Sequence, residues 1–497
     1  GSAVLIAPTG SGKTESALLW ACAQAEGARL ALRLFYTLPY QASMNAMYDR
    51  LNEKAFPGQV GLEHSRSTLA LYRRCLDEDY TPQQAARAAR WAKNLARLSY
   101  FPVRVLSPYQ ILKGPYRLKG YEALLTDFFN AAFILDEVHA YEADRLAMIL
   151  STVKYLREQF AARFFVMSAT LPGLLLPRLA DALGEHASIR ATPELFAHFR
   201  RHRLHLVDGN LLTDRWLAHI GEMALRGGSG LVCCNTVKRT QQVYDEIRCR
   251  LQGKAQIVLL HGRFNGKDRL EKERTVQSAT GTQSTERKPI VLVATQVVEV
   301  SLDIDLDVIY TDPAPLEALI QRFGRINRRR LKECAPVYVF TEPADGQGVY
   351  EDDLVQAALA VLAKNADRMI DEDRISDWLD EVYQGPIAER WNQAYQRAYD
   401  EFREACLLTL RAFNSHEQLE EEFYRAFDSI EVLPAALEPT YQRLMEDEPL
   451  EAIQLLVPLR WGQFFRLRDK EGKAYKVKPN GPWVVEATYN SEFGLLL

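Results

Sequence analysis

The chain has little that would tie it to a membrane, a disulfide framework or a zinc site. None of its apolar runs reaches the roughly 18 residues that a membrane-spanning helix needs. Its seven cysteines, at positions 22, 75, 233, 234, 249, 334 and 406, are odd in number and never spaced C-x-x-C. They read as reduced core thiols of a cytoplasmic protein. No Met and no basic-then-apolar leader open the sequence, so secretion is not indicated. A net charge of −4 does not advertise a polyanionic partner, and charge distribution is the better guide. Acidic residues crowd 341–456, as in Glu351-Asp352-Asp353 and Glu420-Glu421-Glu422, while basic ones gather at 87–104, 322–332 and 460–478.

What is present is length and pattern. A chain of 497 residues exceeds the roughly 250–300 that one hydrophobic core organises, which predicts several domains. Apolar runs at 3–6, 32–37, 132–135 and 164–167 alternate with helical stretches. A second series follows at 204–207, 231–234, 257–260, 290–293, 308–310 and 337–340. Near-continuous Val/Ile/Leu runs between helices indicate parallel sheets covered on both faces. The fold class is therefore α/β with two lobes, residues 1–195 and 196–345. A largely helical linker (346–430) and a small α+β C-terminal region (431–497) complete it. The polar tract 278–288 reads as a surface loop, and apolar residues from Trp391 to Phe413 at three-to-four spacing read as a buried helix face. From Trp461 onward the pattern is short strands with turns at 470–472 and 479–482.

The segment Ala7-Pro8-Thr9-Gly10-Ser11-Gly12-Lys13-Thr14 lies between a strand and a helix. Backbone N–H groups around Gly10, Ser11 and Gly12 can wrap phosphates, aided by the helix N-terminus. Lys13 would pair with phosphate oxygens and the Thr14 hydroxyl would ligate Mg2+. Asp136-Glu137-Val138-His139 follows a later strand. Asp136 there can hold Mg2+, and Glu137 can orient or deprotonate an attacking water. Taken alone, that tetrapeptide is usually a solvated helix start; a few strands after such a phosphate loop it becomes a strong signal. Ser168-Ala169-Thr170 ends the next strand, where its hydroxyls either cap a helix or sense the Asp136–Glu137 pair.

Far downstream, residues 318–329 read Ala-Leu-Ile-Gln-Arg-Phe-Gly-Arg-Ile-Asn-Arg-Arg. Arg325 and Arg328 are candidate arginine fingers, with Gln321 positioning water and Arg322 in support. Such an array would act across a cleft that closes on ATP; the plainer alternative is a basic helix surface. Asp303 could accept a hydrogen bond from ribose or otherwise help bind the nucleotide; the alternative is that Asp303 and Asp305 cap a loop.

Together these motifs resemble superfamily 2 helicases with two RecA-like lobes. The strings A-P-T-G-S-G-K-T-E, D-E-V-H-A-Y-E, M-S-A-T-L-P, A-T-Q-V-V-E-V-S-L-D-I-D and Q-R-F-G-R-I-N-R are similar to the CRISPR-associated helicases of type I interference systems. The segment 489–497 is similar to that family's C-terminal Y-x-x-x-x-G-L element. The resemblance implies ATP and Mg2+ as cofactors, single-stranded DNA as track, 3′-to-5′ movement, and recruitment by an RNA-guided multi-subunit surveillance complex. It further implies nucleic-acid contacts at Thr37, Pro39, Gln41, His64 and Ser107, and at Asn235, Thr236, His261, Arg263, Thr295, Gln296 and Glu299. Small hydroxyls, amides and bases at strand ends hold phosphate and sugar without reading sequence, although each singly is more often a cap or turn residue.

Many members fuse a histidine–aspartate nuclease to the helicase. No His-Asp dipeptide occurs among the nine histidines, so a nuclease is expected elsewhere, and adenine-recognition residues upstream of residue 1. A superfamily 2 RNA helicase and a non-hydrolysing ATP-gated clamp are the alternatives. The helix after Thr81-Pro82 aligns Arg87, Arg90, Lys93 and Arg97 on one face, opposite an Ala/Trp/Leu face. That basic face, like the basic tail, reads as solvated surface or as a docking site.

Overall fold

The structure, a computed structural model, describes residues 1–26, 33–282, 284, 287–299, 302–427, 430–479 and 481–497. The chain forms two compact units. The first comprises Gly1–Arg200 with Asp371–Asp428, the second Arg201–Ile370 with Ser429–Leu497. Residues 346–430 are therefore divided between the units.

The first unit is built on seven strands: β1 (Ser2–Ile6), β2 (Leu34–Thr37), β3 (Val60–Glu63), β4 (Val103–Leu106), β5 (Ala132–Asp136), β6 (Arg163–Ser168) and β7 (His186–Arg190). Their order is β3-β4-β2-β5-β6-β1-β7, with every pairing parallel. Phe35, Phe133 and Phe164 stack across β2, β5 and β6 with centroids 4.7 and 5.0 Å apart. The helix Ala143–Phe160 covers this side with Leu146, Leu150, Val153 and Leu156 in the core.

The second unit holds β8 (His202–Asn210), β9 (Gly230–Cys233), β10 (Gln256–Leu260), β11 (Ile290–Ala294), β12 (Val308–Thr311) and β13 (Ala335–Glu342), in the order β10-β11-β9-β12-β13-β8 and again all parallel. Without the edge strand β7, the two sheets wind identically. β3, β4, β2, β5, β6 and β1 correspond to β10, β11, β9, β12, β13 and β8. The expected pair of α/β lobes is what the chain forms, with the division at Arg200.

The second unit also carries β14 (Ile430–Pro434), β15 (Val457–Leu459), β16 (Ala474–Lys476) and β17 (Trp483–Val485), ordered β15-β14-β17-β16. A two-stranded ribbon follows, β18 (Tyr489–Asn490) with β19 (Gly494–Leu495).

Four expectations need correction. The tract 278–288 is not loop throughout: Ser278, Ala279 and Thr280 close the helix Gly266–Thr280, with Ala279 and Thr280 buried. Phe413 is 93% exposed, because the helix Gly385–Phe402 and the turn Arg403–Leu407 stop short of it. Trp91 is 66% exposed; the helix Pro82–Arg97 buries only Ala85, Ala89 and Ala96, so its packed face is narrower than the sequence implied. The tail from Trp461 begins as a helix, Trp461–Phe465, and not as strand. Of the other expected features, Leu32, Gln283, Thr285, Glu286, Val300, Ser301 and Asn480 lie outside the described residues. Among the described residues, no helix is long and apolar enough to cross a membrane.

Candidate functional site

In the first unit the residues expected to hold nucleotide gather at the C-terminal ends of adjacent strands β1, β5 and β6. Gly10 and Gly12 have φ of 89° and 91°, a conformation that only glycine adopts without strain, and the turn Ser11 N–H to Pro8 O (3.2 Å) closes the loop. Lys13 begins the helix Lys13–Glu26 and is buried. Its Nζ donates to the Ala7 carbonyl at 3.0 Å and the Pro8 carbonyl at 3.4 Å. The ammonium is thus folded back onto the loop it would share with a phosphate.

Asp136 closes β5. It accepts a hydrogen bond from the Tyr36 hydroxyl at 3.0 Å, and burial, reinforced by Glu137, holds its carboxyl above the usual carboxylate range while Lys13 opposes. The Tyr36 hydroxyl links Asp136 to the Thr14 hydroxyl, and a carboxylate with a hydroxyl beside it offers oxygen donors of the kind a hard divalent cation takes. Glu137 sits at φ 55°, a left-handed conformation that is costly for Glu. Beyond it, His139 brings Nε2 to 3.4 Å from Glu137 Oε2 and Nδ1 to 2.7 Å from Ser168 Oγ. The Ser168 hydroxyl donates to Thr170 O at 2.7 Å. Asp136-Glu137 and Ser168-Ala169-Thr170 are therefore joined through His139. The sequence reading assigned His139 no role, though it stands inside the motif.

In the second unit the array 321–328 leaves its helix at once. The helix Leu316–Phe323 carries only Gln321, half-buried, and Arg322. Arg322 is fully buried and donates to Glu299 Oε1 (2.8 Å), Thr311 Oγ1 (2.7 Å), Asn235 Oδ1 (3.2 Å) and Tyr350 OH (3.1 Å). It is an internal tie between the ends of β9, β11 and β12, not the supporting nucleotide contact expected from spacing. Arg325 donates to the carbonyls of Leu302 (3.0 Å) and Glu299 (2.6 Å). Arg328 pairs with Asp303 Oδ1 at 3.1 Å, and its N–H donates to Asp305 Oδ1 at 2.6 Å. The Arg325 guanidinium is thereby held by Glu299 and Leu302, and that of Arg328 by Asp303.

The expected nucleic-acid residues fall at equivalent places in the two sheets, at the ends of β2, β3 and β4 and of β9, β10 and β11. His64 follows β3 and His261 follows β10, and each accepts the N–H of the residue two further on, Arg66 or Arg263, at its Nδ1 (3.2 Å). Nε2 then carries the proton, donated by His64 to Asn45 Oδ1 (2.9 Å) and by His261 to Phe493 O (3.0 Å). Burial first, with neighbouring cations, holds both imidazoles down to about 3. They shape turns and carry no charge.

Thr37 is buried and donates to Ile134 O at 3.1 Å; Ser107 and Thr295 are buried, and Pro39 is half-buried. Gln41 is exposed and donates to Ser65 Oγ at 2.9 Å. Asn235 donates to Pro313 O at 2.7 Å, Thr236 caps the helix Val237–Leu251, and Gln296 donates to Asn235 O at 2.8 Å. Asn235, Gln296 and Glu299 thus form one hydrogen-bonded group with Arg322.

Residues 226–331 match the family described as CRISPR-associated nuclease/helicase Cas3, C-terminal, and residues 1–175 match the DEAD/DEAH box helicase family. The chain is 27% identical over 432 residues to the CRISPR-associated endonuclease/helicase Cas3 of Escherichia coli, covering 77% of this chain and 48% of that protein. It is 27% identical over 463 residues to the protein of the same name from Thermus thermophilus, covering 76% and 49%. The chain spans about half the length of the curated relatives it matches. In fold it is similar to the crystal structure of T. fusca Cas3-ATP, with a TM-score of 0.74, 21% identity, and coverage of 100% of this chain and 69% of that one.

Proposed function

The chain belongs to the CRISPR-associated Cas3-like helicases of superfamily 2, and from that premise we propose that it is an ATP-driven translocase and helicase on single-stranded DNA. The observation that carries the reading is the assembly at the ends of β1, β5 and β6. It combines a phosphate loop, two carboxylates and a histidine that links them to Ser168.

Bound ATP would supply the phosphoryl group, and a Mg2+ ion held beside it would supply neutralisation of its charge. Gly10, Ser11 and Gly12 would present backbone N–H groups to the phosphates, and Lys13 would exchange its carbonyl partners for phosphate oxygens. Thr14 and Asp136 would hold the metal. Glu137 orients the attacking water and accepts its proton. Arg325 and Arg328 stabilise charge on the phosphoryl group, Asp303 orients Arg328 and contacts the nucleotide, and Gln321 positions water. His139 passes the state of Glu137 to Ser168 and thence toward the strand.

At the ends of β2–β4 and β9–β11 the residues left accessible, Pro39, Gln41, Thr236, Arg263 and Gln296, would contact the sugar–phosphate backbone, while the buried Thr37, His64, Ser107, Asn235, His261 and Thr295 would shape the turns that present them. Movement is 3′ to 5′ in the cytoplasm. Recruitment is by an RNA-guided surveillance complex, with degradation by a histidine–aspartate nuclease domain or subunit. Comparing ATP hydrolysis with single-stranded DNA and with RNA tests the reading. Stimulation by DNA is expected, and stimulation by RNA alone would overturn it.

A further inference from the structure

Residues 460–478 hold seven cations against two carboxylates, a net charge of +5 in a chain whose net charge is −4. The carboxylates are already engaged: Asp469 pairs with Arg468 at 2.6 Å, and Glu471 pairs with Arg466 at 3.3 Å and Lys473 at 3.0 Å. Large aromatic side chains reach the surface in the same place. Trp461 is 39% exposed and Phe465 42% exposed. Single exposed apolar residues are ordinary, whereas a contiguous group marks a binding surface. These two lie one turn apart on the helix Trp461–Phe465, so their rings stack, with centroids 5.6 Å apart and planes at 28°.

Cations frame the rings. The Arg468 guanidinium lies over Phe465 at 5.0 Å and over Trp483 at 5.8 Å, and the Lys476 ammonium lies 5.4 Å from the Trp483 ring. The patch is also continuous with the turn after β10: the Leu495 N–H donates to Arg263 O at 2.9 Å, and Leu495 shares one core with Phe464 and Leu467. Burial, and then the charges of Arg466 and Arg460, lower the pKa of Arg263, a cost that a bound anion would relieve.

Flat aromatic faces beside a phosphate-sized positive field are the two elements from which single-strand binding surfaces are made. The cations follow the backbone and the rings take the bases. An acidic protein surface would satisfy the cations but would have no particular use for stacked rings.

We propose that Arg263, Arg460, Trp461, Phe465, Arg466 and Arg468 form a single-stranded-DNA subsite, with Trp461 and Phe465 as its stacking platform. It extends the strand-end contacts of the second unit onto the small sheet β15-β14-β17-β16. The identity of the strand as DNA rests on the reading of the chain as a DNA motor; the existence of the subsite does not.

The test measures binding of labelled oligodeoxythymidylate to the full chain without nucleotide, alongside basal and DNA-stimulated ATP hydrolysis. The double variant Trp461→Ala/Phe465→Ala is expected to lose about tenfold or more in affinity, and to raise the KM for DNA while leaving basal hydrolysis and kcat unchanged. Trp461→Phe with Phe465→Tyr, which keeps two ring faces, is expected to restore most of the binding. Unchanged affinity in the alanine pair overturns the subsite. So does polyglutamate binding that the alanine pair abolishes while DNA binding persists, since that outcome assigns the surface to an acidic protein.

Photocrosslinking of an iododeoxyuridine strand to the unaltered protein gives an answer that does not depend on folding of the variants. A crosslink within 460–478 supports the subsite, and crosslinks confined to the strand ends overturn it. Absence of DNA-stimulated hydrolysis in the unaltered chain would instead count against the motor reading, a separately legible result.

Discussion

The Phe493 carbonyl oxygen lies 3.0 Å from His261 Nε2, so the turn after β10 is held by a residue 232 positions further along the chain. The equivalent histidine of the first unit, His64, is held by Asn45 from within its own lobe. The segment around Phe493 is pinned in turn: Gln241 donates to the Phe493 carbonyl at 2.8 Å, and the Leu495 N–H donates to Arg263 O at 2.9 Å.

Gly494 is the point where this contact is tightest. Its φ is +71°, and a Cβ there would fall 2.7 Å from Arg263 O and 2.8 Å from His261 Cε1. Gly494→Ala is expected to cost about 1–3 kcal/mol and to raise the KM for single-stranded DNA in the hydrolysis assay. Thermal unfolding of the full chain measures the first effect. An alanine variant with unaltered stability and KM would show that the turn does not depend on the ribbon.

Lys13→Ala and Glu137→Gln are expected to lower DNA-stimulated ATP hydrolysis by about 100-fold or more with the fold intact. The Lys13 ammonium donates to loop carbonyls, of Ala7 and Pro8, and among the described residues ties no other element of the fold, while Glu137→Gln preserves shape. Full turnover in either variant would remove the assigned role.

Arg322 and its neighbours in the array separate into stability and chemistry. Arg322→Gln strips a buried cation from Glu299 and leaves that carboxylate unpaired, an expected loss of about 3–5 kcal/mol seen in chemical denaturation. Arg325→Ala and Arg328→Ala are expected to reduce turnover by about 1,000-fold with far smaller effects on unfolding. The reverse pattern would exchange the roles.

His139 joins the carboxylate pair to Ser168, so Ser168→Ala is expected to uncouple the two. ATP hydrolysis stimulated by DNA should survive, while strand displacement, read by release of a labelled oligonucleotide, should fall by about tenfold or more, the equivalent of one or two lost hydrogen bonds. Equal loss in both assays would make Ser168 part of hydrolysis itself.

Stability should fall on acidification. His64, His202 and His261 are held near 3, in each case by burial first, against an unfolded value near 6.5. Each folded-state pKa is lowered, so below about 6.5 the unfolded chain binds more protons than the folded one. Stability is full above that value and declines as pH falls toward 3, by on the order of 2 kcal/mol per histidine near pH 5. Denaturant midpoints at neutral pH and near pH 5 measure this. Equal midpoints would mean that the three rings protonate alike in the folded and unfolded states.

The sequence by itself determined the two α/β lobes, because near-continuous apolar runs between helices can be buried on both faces only in parallel sheets. It also fixed the phosphate loop, the Asp136-Glu137 pair and the arginine array, since glycines, carboxylates and guanidiniums at set spacing are local signals. Strands without such runs were not legible. β4 is interrupted by Arg104, whose charge is buried and paired with Glu63 at 3.2 Å and with Asp127; β7, the partly exposed edge strand, reads His-Ala-Ser-Ile-Arg.

Tertiary structure alone decided that Arg322 is an internal tie and not a nucleotide contact, that His139 bridges two motifs, and that Phe493 completes the turn at His261. In each case the deciding partner lies far away in sequence, and the cost of burying a charge or a hydrogen-bonding group unpaired selects it only once the chain has folded.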